Sequence, residues 1–410
     1  MDNARNPYTP NAGAIPEVVV GRDDQVEAFR VLLGRLSAGR TDQSMIVTGL
    51  RGVGKTVLLN RFREIALGAG WHVLEDEARK HDDDDFRRAF AAKLRAALLE
   101  LSPRARWRDR ARDAAGVLTS FAATVSATGA WTLSLGVDPA EGRADTGDLA
   151  LDLTDVLVAV GEAARQHRTG LAILIDEIQF LSSTQLEAII QAIHKTVQRQ
   201  LPVTLVGAGL PQIAELAGDA KSYSERLFKF PEIRSLTDED ARAAFSGPAA
   251  TEGVSVTDDA ATAAAELTGG YPYFIQELGY QTWSIATGPT ITQNDVLTAQ
   301  AAYEAKLDSS FFRVRLDRAT QLQIAYLRAM AELGPEPQKA ADVARLLARE
   351  STQVAPTRAG LINVGLLYTP EHGYAAFTVP DFDRFLLRAV PELVIPPQRS
   401  PRRRGSRRRH

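Results

Sequence analysis

The sequence predicts an α/β protein: a three-layer core on a parallel sheet, then a helical piece, then a helix-rich unit that ends in a β-hairpin. Three observations predict it. Short apolar runs alternate with segments of helical period over residues 40–235, the order that builds a parallel sheet covered on both faces. The run 171–175 is apolar at every position, as a central strand buried on two sides must be. From residue 236 helical period dominates until 366–379, where two β-rich runs flank the turn Glu371-His372-Gly373.

In chain order, a polar, proline-containing arm (1–16) has no basic stretch leading into an apolar core, so secretion is not expected. Pro16-Glu17-Val18-Val19-Val20-Gly21-Arg22 precedes an amphipathic helix pattern through Leu36. Ser44-Met45-Ile46-Val47-Thr48 reads as a buried strand, and Leu58, Phe62 and Ile65 fall at helical spacing with Gly68 as a stop. Trp71-His72-Val73-Leu74 is a second strand. The four aspartates at 82–85 stand directly before Phe86-Arg87-Arg88-Ala89-Phe90, so they complement a helix N-terminus better than they hold a metal. An insertion of about residues 102–148 is rich in Gly, Ala, Asp and hydroxyl residues. Its stretch 114–137 carries no charge and is long enough to span a bilayer, but its many Ser, Thr and Gly give weak transfer energy. A soluble insertion is expected, with no membrane association. Residues 149–166 read as a helix that delivers the chain to the 171–175 strand.

Between the first strand and its helix stands Gly49-Leu50-Arg51-Gly52-Val53-Gly54-Lys55-Thr56, which fits G-x-x-x-x-G-K-[ST], the P-loop. Gly52 and Gly54 let backbone N–H groups approach phosphate oxygens with no Cβ in the way. Lys55 brings positive charge to the β- and γ-phosphates, and the Thr56 hydroxyl can ligate Mg²⁺. The following helix adds its N-terminal dipole. Gly49, Arg51, Gly52, Val53, Gly54, Lys55, Thr56 and Val57 are therefore the expected phosphate-side contacts of ATP or ADP. Asp176-Glu177 closes the 171–175 strand, where Asp176 can hold the hydrated Mg²⁺ and Glu177 can polarise a water for attack on the γ-phosphate. The expected fold is thus a P-loop NTPase core.

Composition sets limits. The chain has 410 residues and 45% hydrophobic content, enough for about two or three packed domains. It has no cysteine, which excludes disulfides and thiolate metal sites and suits a reducing, cytoplasmic compartment. Its six histidines are scattered without ligand spacing, so no zinc site is expected. Net charge is −3, yet the last ten residues hold six arginines, so residues 1–400 carry −9. Such a tail reads either as an electrostatic handle for nucleic acid or an acidic surface, or as a solubilising extension.

The two nucleotide motifs, with Val20-Gly21-Arg22 before them and a helical lid after the core, resemble the AAA+/STAND group of P-loop ATPases. Within it they are most similar to bacterial and archaeal ATPases related to origin-recognition and helicase-loader initiators. The resemblance spans residues 7–395. It implies that Val20-Gly21-Arg22 lies near the adenine. It also implies that Arg226, in Ser224-Glu225-Arg226-Leu227-Phe228, matches an arginine that reaches a neighbouring subunit's γ-phosphate in a nucleotide-dependent homo-oligomer; the other reading of Arg226 is a surface ion pair. Two departures stand out. The strand after Asp176-Glu177 has only Thr204 in mid-strand and small residues at its tip, where the group places a polar γ-phosphate sensor. In the lid, Gly269-Gly270-Tyr271-Pro272 stands in place of a sensing arginine and resembles the Gly-x-Pro element of STAND switches, whose proline (here Pro272) packs on the base. Both favour a slow, state-holding ATPase.

The expected organisation is a core over 1–235, a helical lid over 236–308 opened by Thr237-x-x-Asp240, a winged helix-turn-helix over 309–395 and a basic disordered tail over 396–410. The winged helix is read from helices at 320–333, 340–349 and 354–365 followed by the hairpin. Its third helix offers Thr352, Gln353, Thr357, Arg358 and Asn363, a thin basic face for double-stranded DNA. Two function classes stand open: a DNA-associated ATPase, and a signalling switch whose winged helix docks protein.

Overall fold

The computed structural model describes residues 1–11, 13–79, 82–101, 110–124 and 135–397. The arginine-rich tail from 398 onwards and residues 102–109 and 125–134 of the insertion therefore lie outside the described residues. Two compact units divide the chain, residues 1–303 and 304–410.

The first unit opens with α1 (Asp23–Ser37), β1 (Ser44–Thr48), α2 (Lys55–Gly68), β2 (His72–Glu77) and α3 (Asp83–Leu101). Next come α4 (Arg110–Ala123), α5 (Leu149–Gln166), β3 (Leu171–Asp176), α6 (Ser183–Gln198) and β4 (Val203–Gly209). The short α7 (Ile213–Ala220) and α8 (Ser224–Leu227) lead to β5 (Phe228–Lys229). All five strands are parallel, in the order β2-β3-β4-β1-β5.

Period two assigns the two faces. Ile46, Leu74, Ile173, Ile175, Val203 and Leu205 join one core cluster with α3 to α7. Their strand neighbours Met45, Val47, Ala172, Leu174 and Val206 are buried on the other face. There α2 packs on β2, β3 and β4, and Phe29 of α1 lies against Phe62 in a tilted ring pair with centroids 4.5 Å apart. This is the three-layer arrangement expected. The first turn of α3 carries Asp83, Asp84 and Asp85, and Asp82 accepts the Asp85 N–H at 2.8 Å, so the aspartate run serves the helix terminus. The uncharged stretch contributes α4, whose Ala115, Val117, Leu118 and Phe121 are buried against protein. Among the described residues no helix is long and apolar enough to cross a membrane.

The unit closes with α9 (Asp238–Thr251), β6 (Ser255–Val256), α10 (Asp258–Thr268), α11 (Pro272–Ile285), β7 (Thr290–Ile291) and most of α12 (Gln293–Lys306). Thr237 caps α9 by accepting the Asp240 N–H at 3.2 Å.

The second unit begins with a π-helical turn (Leu307–Phe312) and α13 (Arg313–Leu316). It continues with α14 (Gln321–Leu333), β8 (Gln338–Lys339), α15 (Ala340–Leu346), α16 (Ser351–Asn363), β9 (Leu367–Tyr368), β10 (Tyr374–Phe377) and α17 (Phe382–Ala389). The three short strands form an antiparallel sheet in the order β8-β10-β9. Helix α16 starts a turn earlier than its periodicity suggests, because Glu350 and Gln353 close a capping box ahead of it.

Candidate nucleotide site

At the end of β1 the chain turns through the glycine loop and enters α2 at Lys55. Gly52 and Gly54 hold φ of +86° and +94°, a region closed to most side chains, and Gly54 is the N-cap of α2 with no side-chain cap. The first N–H groups of a helix have no intrahelical acceptor, so the loop presents them with the positive end of the helix dipole.

Lys55 follows inside this turn and is only 7% exposed. Its ammonium donates to the carbonyl oxygens of Gly49 at 2.9 Å and Leu50 at 2.7 Å. Burial pushes it down to about 8, against the pull of Glu177 and Asp176. Among the described residues no carboxylate pairs with it, so a buried cation is left for an anion from outside. Thr56 donates its hydroxyl to Asp176 Oδ2 at 2.6 Å, and Asp176 Oδ1 accepts the Glu177 N–H at 2.8 Å. Burial raises the Asp176 carboxyl, opposed by those two hydrogen bonds. Hydroxyl and carboxylate oxygens side by side are the hard donor set that Mg²⁺ takes, so the residues present fit it.

Glu177 has φ 50° and ψ 36°, a left-handed conformation unusual for a residue with a Cβ. One carboxylate oxygen accepts from Gln179 Nε2, and the other lies 3.7 Å from the Arg51 guanidinium. Arg51 Nε is buried without a partner. The loop, β3 and their turns thus bring Arg51, Lys55, Thr56, Asp176 and Glu177 together, five of the residues singled out from sequence.

The lid segment reaches the same loop. The Tyr273 N–H donates to the Gly52 carbonyl at 3.3 Å, and a Cβ on Gly52 would lie 3.1 Å from the Tyr271 ring. Pro272, between them, opens α11 at its first turn. On the N-terminal side, Arg22 donates to the carbonyls of Val53 at 3.0 Å and Arg234 at 2.8 Å. Gly21 lies against Asp240 of α9. A cavity of about 360 Å³ has apolar walls from Ile15, Pro16, Val19, Val26 and Val57, and its remaining lining is Asn60 with the cations Arg22, Arg30 and Arg61 and the acids Glu17, Asp23 and Glu64. Val57 faces it; Val20, Gly21 and Pro272 are not in its lining.

Two residues behave otherwise. Thr204 bonds Ser44 Oγ at 3.0 Å deep between β4 and β1, so it has no part in the loop. Arg226 is exposed on α8 and makes no ion pair among the described residues; Gln43 holds its backbone carbonyl at 3.1 Å. Gln179 carries no sequence signature of its own, since a glutamine three residues beyond a strand end matches no motif.

Residues 18–206 match the family described as AAA ATPase domain. This segment is an AAA ATPase domain. The chain that carries it is an ATPase, and residues 309–386 match a domain of unknown function (DUF8462). A search of curated proteins gave no match. Among solved structures, the Walker-type ATPase paby2304 of Pyrococcus abyssi is similar at 14% identity and TM-score 0.55, over 90% of this chain and 96% of that one, and shares the fold. Cdc6p from Pyrobaculum aerophilum aligns at 13% identity and TM-score 0.47, over 95% of this chain and 97% of its own. Aeropyrum pernix Orc1, solved with DNA, aligns at 16% identity and TM-score 0.45, over 91% of this chain and 94% of its own.

Proposed function

We propose that the chain is a slow, Mg²⁺-dependent ATPase of AAA+/STAND type whose nucleotide state controls assembly or DNA association. The observation that carries the chemistry is Lys55: a buried ammonium, bonded only to its own loop's carbonyls among the described residues, beside the Thr56–Asp176 pair. The loop N–H groups and Lys55 hold the phosphates, and Arg51 adds charge. Mg²⁺ held by Thr56 and Asp176 would neutralise phosphate charge. Glu177 accepts a proton from the attacking water as that oxygen bonds phosphorus, and the β–γ bridging oxygen leaves with ADP. The 360 Å³ cavity, with Val57 on its wall and the Val20-Gly21-Arg22 strap beside it, suits the base. Arg226, exposed and without an ion pair among the described residues, is available to a second copy of the chain. If it acts there, Arg226→Ala protein regains turnover when mixed with Lys55→Ala subunits; no regain in demonstrably mixed oligomers removes the role.

For the second unit we read the order helix, strand, helix, helix, hairpin, with β8 added to the hairpin, as a winged helix over about 309–395. Helix α16 brings a single positive charge, Arg358, half-buried, while Thr352 and Gln353 are exposed. DNA contact therefore leans on the tail's six arginines. The lid's seat on Gly52 favours the second reading, a switch held by nucleotide whose winged helix docks protein.

One experiment separates these claims: ATP binding and turnover, with and without duplex DNA, with molecular mass followed in parallel. Lys55→Ala should lose ATP binding, and Glu177→Gln should bind ATP and turn over about 100-fold slower or less. Equal turnover in Glu177→Gln and wild type removes Glu177 as base. Truncation after Ser400 should weaken duplex binding and flatten its salt dependence. An unchanged salt slope leaves the switch reading.

A further inference from the structure

The small residues at the tip of β4 leave room for a neighbouring turn. Gly207 and Gly209 stand where a Cβ would lie 2.8 Å from Ile178 Cδ1 and 2.7 Å from Gln179 Oε1 respectively. Into that room fits the single 3-10 turn Ile178–Phe180 that follows Glu177, anchored by the fully buried Ile178. Gln179 Oε1 accepts the Leu210 N–H at 3.1 Å, just past the end of β4. Backbone N–H can only donate, so this bond fixes which end of the amide faces which way. The oxygen is turned to Leu210, and the NH₂ group is left facing Glu177, where it donates to the carboxylate. The strand tip is also tied to the phosphate loop, because Gly49 N–H donates to the Gly209 carbonyl at 3.1 Å. A hydrogen-bonded path thus runs from the loop through the β4 tip and Gln179 to Glu177.

We propose that Gln179 is the positioning residue for Glu177, aiming its carboxylate from the β4 tip so that water activation depends on the Gln179 amide. This rests on the reading of Glu177 as the base. Without the amide, the Arg51 guanidinium, 3.7 Å from the carboxylate's other oxygen, is left unopposed and draws it off line. A displacement of about 1 Å is enough for about a 100-fold loss in rate.

The test uses the full chain, with turnover and ATP affinity measured separately. Gln179→Met keeps the side chain's length without its donor and adds no charge beside Glu177. Gln179→Glu keeps an acceptor for Leu210 but sets a second carboxylate against Glu177, and so reads the lost bond together with like-charge repulsion. Gln179→Ala loses donor and acceptor, and Gly209→Ala displaces the glutamine from the other side. We expect kcat to fall about 10- to 100-fold in Gln179→Met with ATP affinity within about twofold of wild type. Gly209→Ala should lower kcat likewise and add little in combination with Gln179→Ala. Wild-type kcat in Gln179→Met, with Glu177→Gln inactive, overturns the proposal. So does a loss of ATP affinity as large as the loss of kcat, which would make Gln179 a support of the loop's fold. If Glu177→Gln itself turns over like wild type, the reading of Glu177 fails first, and the two failures are distinguishable. Should Gln179→Ala not fold, Gln179→Met carries the test alone.

Discussion

Arg87 and Asp152 lie within the same α/β unit as the phosphate loop, and their burial is answered where that of Lys55 is not. Arg87 on α3 meets Asp152 on α5 at 2.8 Å, at side-chain exposures of 5% and 0%. Asp152 also accepts from the Thr146 N–H at 3.0 Å, the Thr146 hydroxyl at 2.7 Å and the Gly147 N–H at 3.1 Å. The guanidinium stands 4.6 Å over the Phe121 ring of α4. Every lone pair has a donor, so the pair fastens the end of the insertion to the core. At Lys55 the chain buries a cation against two carbonyls of its own loop. Buried charge with full partners is architecture; buried charge short of a counter-ion marks where a ligand is to supply one.

The contrast can be broken at its strongest point first. Asp152→Ala should destabilise the protein by about 3–5 kcal/mol, because it strands a buried guanidinium. Denaturant unfolding measures this, and a loss below about 1 kcal/mol would show the pair open to water. Lys55→Met should act in the opposite direction on the nucleotide-free protein, raising stability by about 1–3 kcal/mol near pH 7, because a buried charge is removed and its stem kept. The sign with pH follows from the depressed lysine. Below about pH 8 the folded protein carries the full cost of the buried charge. As pH rises from about 8 towards 10.5 the folded lysine loses its proton while the unfolded one keeps it, so wild type gains and the gap to Lys55→Met narrows. A gap that widens over that window contradicts the assignment. The smallest effect is expected at Arg143, paired with Asp113 at 2.9 Å with both side chains 36% exposed. Arg143→Ala should cost no more than about 1 kcal/mol, read from the same unfolding curves.

What the sequence made legible was local. The phosphate loop, the aspartates ahead of α3 and the helix 149–166 are short patterns whose physics is complete within a few turns. The Arg87–Asp152 pair spans 65 positions and was invisible, since neither residue has a neighbour that announces it. The same holds for the β4 tip. Read along the chain, Gly207-Ala208-Gly209 is a strand end that lacks a polar side chain; in three dimensions the polar group arrives from the turn after β3, as Gln179. The seat of Tyr271 and Tyr273 on Gly52 joins segments more than 200 residues apart and follows from the way the lid returns, which no local pattern encodes.

That Lys55 awaits an anion is tested most directly by thermal melting of wild type and Lys55→Met with and without saturating Mg-ATP. Wild type should gain about 2.7 kcal/mol at a nucleotide concentration 100 times its dissociation constant. Lys55→Met should melt at or above the nucleotide-free wild type and should not respond to ATP. An equal ATP-induced rise in both proteins would contradict the role given to Lys55.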